Sequence, residues 1–449
     1  MVSQFFNLST GKAYAEVLHL TIMNSPSITT LIFLSQRRYE YCHIEKLSRQ
    51  LKCRLIALLT NENYQAFPNE MKRYFNKLYC VEMEKNCGEL AQYTLNLTAA
   101  CHIIEAEIKK AHGAEKIRII CHDEANISLA GYLRSRYQIP GPKYTEVLPY
   151  RDKVLMKTLL QDTDVRTPRF IQLDKTATSE NAENYYHEIT QQIGKKFIIK
   201  PIDGAASATT LPINSLKDFQ HCLTQINSNN TVFEAEEFIQ GTLFHCDSLY
   251  QHGQCLVAIV SQYSVPNLEF VYGKTLMSVP LLPENPLVSR ILEANQKITS
   301  RLGTFDGARH LELFITTQKD EIVFLEIAGR LPGAIAVPSI ERMYGINLLD
   351  LCILIHADIT IEKIPLHFKI GSFFGMIPFK TGKVTKLNTP NINSNIEIDW
   401  TIKLEQQISL QMTQSVRHTA GNFLVSNASY SQLIKDFEFL ASFNFYEVI

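Results

Sequence analysis

No C-x-x-C pair occurs among the ten cysteines of this 449-residue chain. His102 and His122 each follow a cysteine, yet no spacing resembles a zinc ligand set. Scattered cysteines in a chain of this size fit reduced thiols better than a disulfide frame. Long apolar runs are missing too. Nothing approaches the roughly 18 residues needed to cross a bilayer, and Leu348–Ile355 is interrupted by Asp350. Met1 to Leu20 has no basic stretch followed by an apolar core, so no signal peptide is expected. Charge of one sign is also lacking: Lys+Arg 44 against Asp+Glu 45 leaves −1. Binding to nucleic acid or to an anionic membrane through bulk charge is therefore not expected. Any phosphate must be held by a local cluster. Neither G-x-G-x-x-G after the first strand nor G-x-x-x-x-G-K-[ST] is present, which removes the dinucleotide and Walker A readings. These absences predict a soluble cytoplasmic protein with no nucleic-acid or membrane partner.

What is present is ordinary globular composition, 45% hydrophobic and 20% charged. At about 150 residues per domain the length suggests roughly three lobes. Thr30–Leu34, Arg54–Leu59, Leu78–Val81 and Lys116–Cys121 read as short buried strands, with helical spacing in Tyr41–Leu51 and Leu90–Lys110. That alternation predicts a parallel sheet covered by helices. Ile139-Pro140-Gly141-Pro142 punctuates the chain. We place domains at 1–140, 141–360 and 361–449. A helix is predicted at Arg151–Leu160, and another within the polar stretch 171–195. Strands are predicted at Phe197–Pro201, Val232–Ile239, Leu256–Ser261, His310–Ile315 and Ile322–Ile327. Helices follow at Ser339–Tyr344 and Leu348–Ala357. The last third holds strands at Phe373–Pro378 and Leu404–Leu410, and a helix at Ser431–Leu440.

Glu312 and Glu326 are the most informative pair. Both strands alternate with period two, and only Thr316–Glu321 separates them, which predicts an antiparallel hairpin. Pairing Glu312 with Glu326 also pairs Phe314 with Phe324 and puts all four on one face. Facing carboxylates repel, and a divalent cation between them would remove that cost; Mg²⁺ suits a few carboxylates plus substrate phosphates. A solvated polar face is the alternative. Next comes Lys200-Pro201-Ile202-Asp203-Gly204, followed by small residues to Thr210. A strand delivering a lysine into small side chains lets backbone N–H groups approach phosphate oxygens, unless the segment is only a surface turn. Glu234, Glu236 and Glu237 cluster on one apolar strand, and Arg330 follows the Glu326 strand, where it could grip a phosphoryl group bidentately. His245 and His310 share faces with Asp247 and Glu312, and each is either a substrate contact or a satisfied strand histidine. Cys246 and Cys255 read as packing residues.

In this order, from about Ile139 to Asp350, the segments resemble the ATP-grasp superfamily. Phe244-His245-Cys246-Asp247 and the compact last lobe are similar to the branch with biotin carboxylase, carnosine synthase and bacterial L-amino acid ligases. The resemblance implies a mixed α/β and α+β architecture, with an N-terminal parallel α/β (preATP-grasp) lobe, an ATP-grasp domain and a strand-rich C-terminal lobe. It implies that Lys153 and Lys200 contact ATP phosphates and that the loop Gly204–Thr210, Ser207 included, folds over the triphosphate. Glu236 would accept the adenine amino group, with the backbone of Glu237 and Ile239 completing that edge. Glu312 and Glu326 would hold Mg²⁺ or Mn²⁺, and Arg330 would sit on the transferring phosphoryl or on a substrate carboxylate.

Two departures stand out. Ala328 occupies a position where an Asn ligand is common in the superfamily, and Ala206 and Thr209 occupy likely glycine positions. The implied activity is an ADP-forming ligase that joins a small-molecule carboxylate to an amine, amino acids among them, through an acyl phosphate. Dimerisation is common among relatives. An ATP-dependent carboxylase, a kinase-like enzyme or a non-catalytic nucleotide-binding regulator are the alternatives. No biotinyl-acceptor Met-Lys-Met is present.

Overall fold

The computed structural model describes residues 28–34, 39–85, 93–174, 181–205, 207, 209–226, 231–333, 335–409 and 419–449. The expectation of no signal peptide at Met1–Leu20 and part of the small-residue loop lie outside them. The first lobe is a parallel sheet ordered β3-β2-β1-β6, made of β1 (Thr30–Leu34), β2 (Arg54–Leu59), β3 (Lys77–Cys80) and β6 (Ile117–Ile120). Its apolar runs are buried on both faces. Leu31 and Phe33 of β1 enter one core while Ile32 and Leu34 enter another, and β2 divides the same way. That is why these strands read as continuous apolar runs. The helix Leu97–Ala111 starts at Asn96, whose side chain accepts from the Ala99 amide. A short hairpin pairs β4 (Met83–Lys85) with β5 (Tyr93–Leu95).

Two antiparallel sheets follow. The smaller is ordered β7-β10-β8-β9: β7 (Phe170–Gln172), β8 (Phe197–Pro201), β9 (Leu211–Ile213) and β10 (Phe233–Glu237). The larger has eight strands, ordered β15-β14-β11-β12-β13-β16-β20-β18. They are β11 (Gly241–Gln251), β12 (Gln254–Tyr263), β13 (Leu276–Pro280), β14 (Gly307–Thr316), β15 (Ile322–Ala328), β16 (Gly371–Ile377), β18 (Asn395–Trp400) and β20 (Gly421–Asn427). On one face Leu311, Leu313, Phe324 and Ile327 pack with the helices Lys153–Leu160 and Pro286–Leu302. The opposite face fronts a large cavity. A last small sheet joins β17 (Gly382–Leu387), β19 (Gln407–Ile408) and β21 (Tyr446–Val448).

Three expectations need correction. The Glu312–Glu326 pairing stands, but a bulge after it inserts Leu325, so Phe314 pairs with Val323 and not with Phe324. Phe324 then turns to the helix-covered core and Phe314 to the cavity side. The predicted strand Leu404–Leu410 is reduced to Gln407–Ile408, with Leu410 outside the described residues. The strand-dominated stretch 196–328 also holds the helices Leu216–Ile226 and Pro286–Leu302. The second carries clear signals: Asn285 caps its start, Pro286 occupies its first turn and Gly303 follows its end.

Strand β11 must lie unusually close to β14 at its first residue. A Cβ on Gly241 would sit 2.3 Å from the Ile315 carbonyl oxygen, which is backbone and cannot move aside. Gly241→Ala should therefore cost about 1–3 kcal/mol through overpacking, read as a lower midpoint in thermal unfolding.

Candidate active site

The register of the large sheet lays side chains in rows across its cavity face. Glu326 pairs with Glu312, and Glu312 pairs with His245. A neighbouring row runs Ala328, His310, Asp247. On the other side lie Leu243, Tyr263, Ser278 and Phe374. Partners in an antiparallel ladder share a face. The sheet therefore presents two carboxylates, two imidazoles and a phenol side by side to a cavity of about 510 Å³.

The two carboxylates are each half engaged. Glu312 Oε1 accepts from Tyr263 Oη (3.1 Å), Asn267 Nδ2 (2.8 Å) and His310 Nε2 (3.3 Å). Glu326 Oε2 pairs with Lys153 Nζ at 2.9 Å. Among the described residues, Glu312 Oε2 and Glu326 Oε1 have no hydrogen-bond partner. Two unpartnered carboxylate oxygens from directly paired residues fit a hard divalent cation that keeps several water or phosphate ligands. Burial alone would raise Glu312, yet His310, Asn267 and His245 hold it down at about 2. Behind this pair, Asp247 accepts from both Nδ1 atoms, His245 at 2.8 Å and His310 at 2.6 Å. His245 Nε2 meets Ser278 Oγ at 2.6 Å. Burial works against a charged His310, but Asp247 and Glu312 outweigh it and raise the group to about 9. His245, Asp247 and His310 lie close enough together to hold a metal ion, though their hydrogen bonds already satisfy one another.

Cations gather on the opposite wall. Lys153, at the start of the Lys153–Leu160 helix, also donates to the Gly204 carbonyl at 2.7 Å. Lys157, four residues on and so on the same helix face, is fully buried and holds both Glu234 (2.6 Å) and Glu236. Lys200 reaches Glu236 at 2.8 Å. Burial pushes Glu236 up, but Lys157 and Lys200 overcome it and hold the carboxyl at about 2. Glu234, flanked by the same charges, stays above the ordinary carboxylate value because burial dominates there. Arg330 donates through Nε and Nη2 to Glu124 of the first lobe, both at 2.7 Å, and Arg151 Nη1 meets the other Glu124 oxygen at 3.0 Å. Burial would raise Glu124, and the Arg330 and Arg151 charges bring it to about 2.

All the sequence-derived candidates line this one cavity: Lys153, Lys200, Gly204, Ser207, Glu236, Glu237, Ile239, Glu312, Glu326 and Arg330. His245 and His310 line it as well, while Cys246 is fully buried and Cys255 partly so. The Glu237 side chain turns to Arg166 at 3.0 Å. Ser207 (φ 54°) and Thr209 (φ 56°) occupy the left-handed region that favours glycine. The residues that sequence reasoning missed are Glu124, Lys157, Tyr263 and Asn267. Glu124 follows closely on a parallel strand's carboxyl end, where ligands bind in open α/β sheets, and Lys157 stands one helical turn beyond Lys153; both signals were available.

Two outcomes follow from the buried charges. Lys157→Met strands the buried Glu234 carboxylate, while Glu236 keeps Lys200, and should destabilise the fold by about 3–5 kcal/mol; adding Glu234→Gln should return part of that loss in urea unfolding. Glu124 and Glu236 are depressed from about 4.3 in an unfolded chain. Their stabilisation is complete above that value and is lost as pH falls towards 2, so the thermal midpoint should drop across that window.

Comparison with known proteins places this geometry. Residues 193–338 match the model of the ATP-grasp domain. The L-arginine-specific L-amino acid ligase of Bacillus subtilis is 28% identical over 274 residues, 59% of this chain and 64% of that protein, so the match spans less than two thirds of the relative. A crystal structure of L-amino acid ligase from Bacillus licheniformis superimposes with a TM-score of 0.68 at 15% identity, covering 94% of this chain and 98% of that one. N5-carboxyaminoimidazole synthetase from Staphylococcus aureus, complexed with ADP, gives 0.62 at 14% identity over 94% and 100%. No helix among the described residues is long and apolar enough to cross a membrane. The chain has the ATP-grasp fold, and residues 193–338 match the ATP-grasp domain model.

Proposed function

We propose that the protein is an ATP-dependent, ADP-forming ligase that joins a carboxylate to an amine, with amino acids as the substrate class and Mg²⁺ or Mn²⁺ as the metal. The observation that carries this reading is the directly paired Glu312 and Glu326, each with one unpartnered oxygen, facing Lys153, Lys200 and Arg330 across one cavity. Domains at 1–140, 141–360 and 361–449 and a cytoplasmic homodimer belong to the same reading. The Bacillus subtilis relative is an L-arginine-specific L-amino acid ligase and the Bacillus licheniformis structure is an L-amino acid ligase, which supports amino acids as the substrate class.

A carboxylate resists amine attack because its leaving group would be oxide. Phosphoryl transfer from ATP gives an acyl phosphate, which an amine displaces to form the amide; the protein supplies alignment and charge neutralisation and needs no nucleophilic side chain. A bound divalent cation would neutralise charge between the β- and γ-phosphates. Glu312 Oε2 and Glu326 Oε1 would hold it. Lys153, held at Glu326 Oε2, would stand beside that cation and meet phosphate oxygens. Lys200 would exchange part of its contact with Glu236 for the same ligand. The backbone of Glu237 and Ile239 would edge the adenine, with Glu236 near its amino group and Gly204 and Ser207 over the phosphates. Arg330, oriented by Glu124, would meet the phosphoryl group or the substrate carboxylate. Ala328 favours a second reading, a nucleotide-binding regulator, because it removes one metal ligand common among relatives.

Glu326→Ala should lower substrate-dependent ADP release by roughly 10²-fold or more, the scale of such electrostatic contributions, with circular dichroism unchanged. A screen of acids and amines with ATP and Mg²⁺ should find a pair that stimulates phosphate release. ATP-induced thermal stabilisation with no stimulated release by any pair would favour the regulator.

A further inference from the structure

Away from the paired carboxylates the cavity face of the sheet changes chemistry. β11 carries His245 and β12 carries Tyr263, but β13 and β16 present Leu276, Phe374 and Met376 to the same cavity. Leu276 and Met376 are direct cross-strand partners. Phe374 pairs with Ser278, the residue whose hydroxyl meets His245. Val337, on the helix Ala336–Tyr344, lines the cavity too. All four apolar side chains are buried. Neighbouring strands lie about 4.8 Å apart, so β13 stands two steps, roughly 10 Å, from the His245 strand. That is the reach of one amino acid lying across Tyr263 with its carboxylate towards Glu312.

The acids around the cavity are all engaged. Glu124 is held by Arg151 and Arg330, Glu236 by Lys157 and Lys200, Glu237 by Arg166, and Glu269 by Lys274 at 2.8 Å. Asp123 accepts from Asn126 Nδ2 at 2.7 Å. Among the described residues, the cavity carboxylate oxygens without such partners are those assigned to the cation and Glu269 Oε1, whose other oxygen already holds Lys274. A guanidinium or ammonium side chain packed against Leu276, Val337, Phe374 and Met376 would lose water and gain no counter-charge from them.

We infer that Leu276, Val337, Phe374 and Met376 form a side-chain subsite, and that one substrate is an amino acid with an apolar side chain of leucine, methionine or phenylalanine size. The inference deepens the ligase reading and rests on it for the reaction, but the subsite is a binding site and is tested apart from turnover.

Titration calorimetry of the full chain, with Mg²⁺ and a non-hydrolysable ATP analogue, should show leucine binding about 10-fold or more tighter than arginine or glutamate, from burial of its side chain. Leu276→Ala removes volume without adding charge. It should weaken leucine binding several-fold while arginine changes by less than about twofold. Met376→Glu should shift the ratio towards arginine. Arginine or glutamate binding as tightly as leucine, leucine affinity unchanged in Leu276→Ala, or no amino acid binding at all would overturn the subsite. Phosphate release measured in parallel separates the two readings. Leucine binding with no amine-dependent release supports the subsite and removes the ligase; turnover that ranks arginine above leucine removes the subsite alone.

Discussion

Everything at the site depends on one cross-strand registration, Glu326 beside Glu312 beside His245. Two carboxylates placed directly opposite each other repel. The fold tolerates this because each gives up one oxygen to donors, Glu312 to a phenol, an amide and an imidazole, and Glu326 to Lys153. The remaining oxygens have no partner among the described residues. A slip of one residue on β15 would turn Glu326 into the helix-covered core. The bulge at Leu325 falls just beyond the pair, so the strand corrects its apolar face without disturbing the acids.

The same restraint runs through the positive side. Lys200, Lys153 and Arg330 are each matched by a carboxylate, and those carboxylates come from different parts of the chain: Glu236 on β10, Glu326 on β15 and Glu124 in the first lobe. On the proposed function, a phosphate-bearing ligand would meet cations already oriented, and its entry would exchange one anionic partner for another. Lys157 is the exception that makes this workable. It is buried beneath Glu234 and Glu236, so Glu236 keeps a counter-charge when Lys200 turns to a ligand. Arg330 is held across the lobe boundary by Glu124, which couples the first lobe's position to the geometry of the reacting end.

The parts of this arrangement legible in the sequence were those written as local pattern. Period-two alternation marked β14 and β15, and small residues after Lys200 marked the loop. Apolar runs marked the parallel strands to within a residue or so. What escaped was set by tertiary context. The bulge at Leu325 leaves no trace in alternation, and it turned the expected Phe314–Phe324 pair into Phe314–Val323. β13, β18 and β20 went unrecognised; β13 and β20 are brought into one sheet only through β16, which pairs with both. The helix Pro286–Leu302 escaped although its capping residues were in plain view. Glu124 lies 206 positions from Arg330, and only the folded chain joins them.

Ala328 bears on how far the chain departs from its relatives. Its direct partner across the ladder is His310, and Asp247 lies next in that row. Opposed residues in such a ladder hold their Cβ atoms about 5 Å apart, so a longer side chain at 328 would crowd the imidazole. Here that imidazole bridges Asp247 and Glu312, at 2.6 and 3.3 Å. The chain thus fixes the Glu312 carboxylate through a buried Asp–His–Glu relay. Partners of this kind orient metal ligands and tune their affinity.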